Sequence, residues 1–173
     1  MIFAVDNCFC TPALQRPREL GADLIVHSGT KYLDGQGRVM AGALCSTQER
    51  ITKVFLPVLK SAGMTLAPFN AWVVLKGLET LELRAQKHSE NALKVGQFVE
   101  SRVPQIMHPG LPSHPQHNLA MAQMDATGPI FALDVGTRAR AFAVLDALNS
   151  GGYKVAHIDM PVSPGRVWQA MNG

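Results

Sequence analysis

The sequence predicts an α/β chain, on three observations. Short apolar runs alternate with turn and helix signals over residues 1–47, a stretch of helical spacing begins at Pro68, and a glycine-bearing polar loop directly follows one of the apolar runs. The composition agrees: 173 residues with 47% hydrophobic and 17% charged side chains have the balance of a folded globular chain, of a length that suits one ordinary domain. The formal charge is +3 and the basic residues are scattered, with no run that would track a phosphate backbone, which argues against a nucleic-acid partner. No window approaches the ~18 consecutive apolar residues of a membrane span. Met1 is not followed by the basic region and cleavage site of a secretory leader. The expectation is a soluble, cytoplasmic protein with no membrane partner.

The first apolar run, Ile2–Val5, ends at Asp6, and the next two are Leu24–Val26 and Val39–Leu44. Runs of this length without period-2 alternation fit strands buried on both faces of a parallel or mixed sheet. A proline-interrupted stretch ending at Glu19-Leu20-Gly21 separates the first two. The insert His27–Arg38, HSGTKYLDGQGR, holds three glycines at a strand end, where ligands gather in open α/β sheets. From Pro68 to about Arg102 the spacing is helical, with apolar positions at Trp72, Leu75, Leu78, Leu81 and Leu83, and Gly77 marks where the helix bends or divides. Trp72 and Met64 read as packing residues. Glu79, Glu82, Arg84, Lys87 and Glu90 fall on polar positions and read as a solvated face, which leaves Glu79 and Arg84 without a functional role. A second unit starts near Pro104. It comprises the turn-rich PGLPSHPQH, a short helix at Leu119–Met124, a break at Gly128-Pro129, a strand at Ile130–Val135 and a helix at Arg138–Asn149. Beyond Asn149 the apolar period is lost, and only a short strand over Tyr153–Ile158 is expected.

Among titratable residues, Lys31 stands out, because it follows Ser28 and Thr30 in a glycine-bearing loop after an apolar run. A lysine so placed can act as a nucleophile toward a carbonyl, and the neighbouring hydroxyls suit a phosphate. By loop context alone, a solvated surface charge is the commoner reading. Asp6, at the carboxyl end of the first strand, could keep a pyridinium nitrogen protonated, but taken singly a turn cap is the commoner reading. Cys8, Cys10 and Cys45 lack paired spacing and read as reduced thiols. His114 and His117 are spaced HxxH without a third ligand and read as flanking a helix start, so no metal site is expected.

Taken together, VDNCFCTPALQRPRELGADLIVHSGTKYLDGQGR resembles the cofactor segment of the Cys/Met-metabolism family of pyridoxal phosphate enzymes, whose large domain is aspartate aminotransferase-like. The resemblance continues through GMTLAPFNAWVVLKGLETLELRAQKHSENA and through HPGLPSHPQHNLAMAQM and GPIFALDV, to about residue 149. It implies fold type I: the C-terminal part of the large cofactor-binding domain over 1–67, a connecting helix over 68–102, the start of the small α+β domain over 103–149, and a divergent tail over 150–173. It also implies that the chain is part of a longer ancestral frame, without the N-terminal part and C-terminal end of its relatives.

By the same resemblance Lys31 is the Schiff-base lysine and proton shuttle, Asp6 pairs with the pyridine nitrogen, and Ser28 and Thr30 hydrogen-bond the cofactor phosphate. YLDGQGR resembles the O-succinylhomoserine sulfhydrylase branch, which implies an amino-acid substrate, release of succinate, addition of sulfide and formation of homocysteine for methionine biosynthesis. A γ-synthase or γ-lyase of the same family is the alternative; from another class, the alternative is a remnant that binds no cofactor. The resemblance implies a homotetramer, a dimer of dimers, for the full-length protein. Two departures stand out: Cys8 replaces a threonine beside the ring, and Gly29 replaces another small residue and is expected to loosen the loop.

Overall fold

A computed structural model describes residues 1–103 and 105–151. The expected strand over Tyr153–Ile158 and nearly all of the tail lie outside these residues. The first sheet is mixed. Strand β1 (Ala4–Asp6) runs parallel to β2 (Leu24–Ser28) with Asp6 opposite Val26, and β3 (Gly42–Cys45) returns antiparallel with Gly42 opposite Ser28. Asp23 anchors the entry to β2: its carboxylate accepts the Phe3 amide at 3.0 Å and Arg50 Nη1 at 2.7 Å. Between the strands lies helix α1 (Thr11–Leu14), whose Leu14 is fully buried. Thr11, also buried, takes φ +60°, a sparsely populated conformation for a β-branched residue.

Within the described residues the sheet is covered on one face. Strand β2 buries Ile25 and His27 and exposes Val26, β3 is exposed along its length, and Ile2 and Phe3 stand outside. Among the described residues nothing covers the second face. Beyond the sheet, α2 (Gln48–Arg50), a wide turn at Ile51–Phe55 and α3 (Leu56–Ala62) form one helical arm, capped by the Thr47 hydroxyl on the Arg50 amide and closed by Gly63 at φ +69°.

The helical stretch from Pro68 is a pair, α4 (Pro68–Leu78) and α5 (Leu81–Glu100), that parts at Glu79 and Thr80 rather than at Gly77. Gly77 serves close approach instead: a Cβ there would lie 2.3 Å from Leu33 O and 2.6 Å from Asp34 O. The buried stripe of α5 is Leu81, Ala85, Ser89, Ala92 and Gly96, at spacings of three or four residues, and it faces α1 and β4 (Ile106–Met107). Of the large apolar side chains expected to pack, Trp72, Leu75, Leu78 and Leu83 are exposed, as is Met64. At Gly77 the interior position is small because the backbone at Leu33 and Asp34 meets α4 directly.

The C-terminal unit pairs β4 with β5 (Ala132–Leu133), and adds α6 (His117–Gln123) and α7 (Arg138–Ser150). The strand expected over Ile130–Val135 pairs only at its centre. His108 is fully buried here; its Nδ1 accepts the Gly110 amide at 3.0 Å and its Nε2 faces Gly128 O at 3.4 Å, while Ser89 Oγ accepts the Gly128 amide at 3.1 Å. This bracket ties the unit to α5. His117 opens α6 with Nδ1 on Pro109 O at 2.9 Å, and His114 Nδ1 accepts the Gln116 amide at 3.1 Å, so both rings serve local turns. No helix among the described residues is long and apolar enough to cross a membrane.

Candidate active site

Neighbouring parallel strands bring their carboxyl ends together, and the expected residues emerge there. Asp6 ends β1; Ser28 ends β2; Thr30 and Lys31 follow in a wide turn, Gly29–Leu33. The turn closes when the Asp34 amide reaches Gly29 O at 3.1 Å and the Gly35 amide reaches Lys31 O at 2.8 Å. Lys31 itself departs from helical geometry, at φ −87° and ψ −116°. Its Nζ lies over the Phe9 ring, 4.6 Å from the centroid, and has no hydrogen-bond or ion-pair partner among the described residues.

Asp6 is exposed, and its Oδ1 accepts the Cys8 amide at 3.0 Å. Hydrogen bonding from Cys8, helped by the positive charge of Lys31, holds the Asp6 carboxyl below the usual carboxylate range. It is therefore an anion at the end of β1 at neutral pH. Burial pushes the Cys8 thiol up, with the Asp6 hydrogen bond acting the same way, so sulfur stays protonated. Cys8 Sγ accepts the Ser28 amide at 2.9 Å and thereby ties the loop after β1 to the end of β2.

The two hydroxyls differ. Ser28 is half-buried and its hydroxyl has no partner among the described residues. Thr30 Oγ1 already accepts the Ala41 amide at 2.9 Å and makes a long 3.4 Å contact to Ala41 O. The Gly29 and Thr30 amides both point at Ala41 O, at 2.8 and 3.2 Å, so both are spent on the following strand. Gly29 does not loosen the loop. A Cβ on it would meet Ala41 Cβ at 2.7 Å, and its absence lets the turn close on the strand that follows.

Several neighbours escaped the sequence reading. Phe9 underlies Lys31, and Tyr32 meets Phe9 and His88 edge to face at 6.3 and 5.9 Å. His27 is buried beside Asn7, with burial pushing its ring below the usual range; His27 Nδ1 and Asn7 Oδ1 are both buried without a partner. Asp34, buried, accepts the Arg38 amide at 2.7 Å and its side chain at 2.6 and 2.9 Å. Arg84 is not on a solvated face: half-buried, it donates to Tyr32 O at 2.9 Å and Gly77 O at 2.7 Å. No local signal could have revealed the first contact, which spans 52 positions of sequence.

The family model "Cys/Met metabolism PLP-dependent enzyme" matches residues 1–154. An O-succinylhomoserine sulfhydrylase of Pseudomonas aeruginosa is 50% identical over 149 residues, covering 84% of this chain and 37% of its own length. An L-methionine gamma-lyase of Treponema denticola is 46% identical over 134 residues, covering 76% of this chain and 33% of its own. In structure, a cystathionine gamma synthase of Xanthomonas oryzae pv. oryzae, solved with aminoacrylate and cysteine, superposes with a TM-score of 0.83 at 34% identity, over 95% of this chain and 41% of that one. The chain thus spans little more than a third of the length of these curated relatives.

Proposed function

For a chain that belongs to the Cys/Met metabolism family of PLP-dependent enzymes, with the fold of fold type I neighbours, we propose that Lys31, Asp6, Ser28 and Thr30 form its share of a pyridoxal phosphate site. The observation that carries this is the unspent bonding capacity at one end of the sheet: among the described residues, a lysine amine and a serine hydroxyl without hydrogen-bond partners, beside an ionised carboxylate at the ends of adjacent strands. That donor set fits the cofactor's aldehyde, ring nitrogen and phosphate in turn. Asp6 holds the proton on the ring nitrogen, Ser28 donates to the phosphate, and Thr30 adds its hydroxyl at the cost of a weak contact to Ala41. Pyridoxal phosphate, when bound, supplies an electron sink for carbanions next to the substrate's amino group. Lys31 Nζ, as nucleophile and then as base, takes and returns protons at the substrate's α and β carbons. Phe9 keeps water from one side of that amine.

The finer activity we propose is γ-replacement on O-succinylhomoserine with sulfide, yielding homocysteine and succinate for methionine biosynthesis in the cytoplasm of a homotetrameric enzyme. Support comes from the YLDGQGR segment and from the 50% identity to a sulfhydrylase. The γ-lyase reading draws on the 46% identity to the Treponema protein. Incubation with pyridoxal phosphate, borohydride reduction and peptide mapping tests the site: an adduct on Lys31 is expected, and its absence from Lys31 refutes the assignment and favours a remnant that binds no cofactor. For the activity, the chain is reunited with the segments that its relatives carry beyond it. Homocysteine from O-succinylhomoserine and sulfide is the expected product, whereas 2-oxobutyrate from methionine would identify a lyase.

A further inference from the structure

Arg84 occupies a position that neither the family's chemistry nor the charge pattern of α5 explains. Its guanidinium makes three separate contacts: Nη1 to Tyr32 O at 2.9 Å, Nη2 to Gly77 O at 2.7 Å and Nε to Thr80 Oγ1 at 3.0 Å. The first acceptor is the residue after Lys31, the second lies near the end of α4, and the third precedes α5. A planar fork with several fixed donors is the group suited to join backbone carbonyls from two elements, which an ammonium cannot do with the same geometry. Space has been cleared for it. Gly35, at φ +80°, would place a Cβ 2.3 Å from Nη1, and Gly77 brings the backbone of α4 against Leu33 and Asp34. One helical turn beyond Arg84, His88 packs edge to face on Tyr32.

We propose that Arg84 is a positioning residue for Lys31. It pins the carbonyl that follows the lysine to the junction of α4 and α5, and so holds the non-helical backbone at Lys31 that aims Nζ into the crevice. Among the described residues the carbonyls of Gly29 and Lys31 bond only to the Asp34 and Gly35 amides that close the turn, so the Arg84 fork is what ties a carbonyl of the turn to the α4–α5 junction by hydrogen bonds. Loss of the fork therefore frees the turn while both helices keep their own hydrogen bonds. The proposal rests on the reading of Lys31 as the cofactor lysine, and it is separable from it by experiment.

The test compares the full chain with its Arg84→Met and Arg84→Lys variants in two measurements. Hydrogen exchange reads the Asp34 and Gly35 amides, which close the turn, and borohydride trapping after pyridoxal phosphate addition reads the rate and pH dependence of adduct formation on Lys31. In Arg84→Met, exchange at these two amides is expected to rise about tenfold against the amides of α4 and α5, and trapping to slow by about the same factor, since hydrogen bonds to a charged group are lost. Arg84→Lys is expected to restore the melting temperature but less than half of the trapping rate. Unchanged exchange and trapping in Arg84→Met would overturn the proposal, as would faster exchange spread equally through α4 and α5, the signature of a merely structural role. Should the parent chain form no adduct on Lys31, the cofactor reading fails, and the exchange measurement alone decides whether Arg84 holds the turn.

Discussion

The lysine crevice and the His108 bracket contain similar chemistry and use it in opposite ways. At the bracket, both ring nitrogens of His108 face backbone groups and Ser89 Oγ accepts the Gly128 amide, so the polar groups are consumed by structure. At the crevice the structural duties fall on glycines, backbone amides, Asp34 and Arg84, while Lys31, Asp6 and Ser28 keep capacity in reserve. A buried and satisfied histidine stabilises; an unsatisfied lysine at a strand end is available to a ligand. The difference teaches that residue type marks a candidate, whereas uncommitted hydrogen-bonding capacity marks a site.

The largest expected effect probes the steric half of the contrast. Gly77→Ala drives a Cβ into Leu33 O and Asp34 O and should cost about 3 kcal/mol, at the upper end for overpacking, measured as the urea midpoint at constant m. A cost near zero would show that the crevice is not held by close backbone approach. Next, His108→Leu leaves the Gly110 amide and Gly128 O facing an apolar side chain, an expected loss of about 2 kcal/mol by the same measurement. Acidification sharpens the same point. Burial depresses the rings of His27 and His108 below the ordinary 6.5, so the unfolded chain takes up protons first as pH falls through that value. Stability is thus full above it and declines below it, until the folded rings also protonate, with a slope of at most about 1.4 kcal/mol per pH unit for each proton. In His108→Leu the slope below about pH 6.5 should flatten. Smallest of all, Lys31→Ala and Ser28→Ala should each change stability by less than about 0.5 kcal/mol, although Lys31→Ala abolishes the trapped adduct. A large destabilisation by either would erase the contrast.

How much of this was legible in sequence depends on the range of the contact. Asp6, Ser28, Thr30 and Lys31 are singled out by the family resemblance, since position alone favours a turn cap and a surface charge; the pairing of β1 with β2 brings them to one end of the sheet. The helical character of 68–102 was equally plain, but not which side chains it buries. Period and hydrophobicity favour Trp72, Leu75, Leu78, Leu81 and Leu83, whereas of these the interior takes only Leu81, with Val73, Gly77, Ala85, Ser89, Ala92 and Gly96 beside it; at Gly77 the reason is a backbone that leaves no room for a Cβ. Gly77 shows the same limit: a helix breaker by propensity, it is a spacer in the fold. Arg84 lay hidden among surface-like charges, since its partner carbonyl on Tyr32 is remote in sequence and has no side-chain signature.

Helix α5 runs 20 residues without interruption, with the Arg84 fork near its first turn and Ser89 and Gly96 facing the C-terminal unit further along. A straight helix of that length is a shaft of about 30 Å, and it sets a phase as well as a distance. Inserting one residue between Arg84 and Ser89 would advance everything beyond by about 1.5 Å and turn it by about 100° about the axis. The bracket would then come round to a different side of the lysine crevice. Substitutions along the outer surface of the shaft leave that phase untouched, so this stretch should accept exchange of residues freely and changes of length hardly at all.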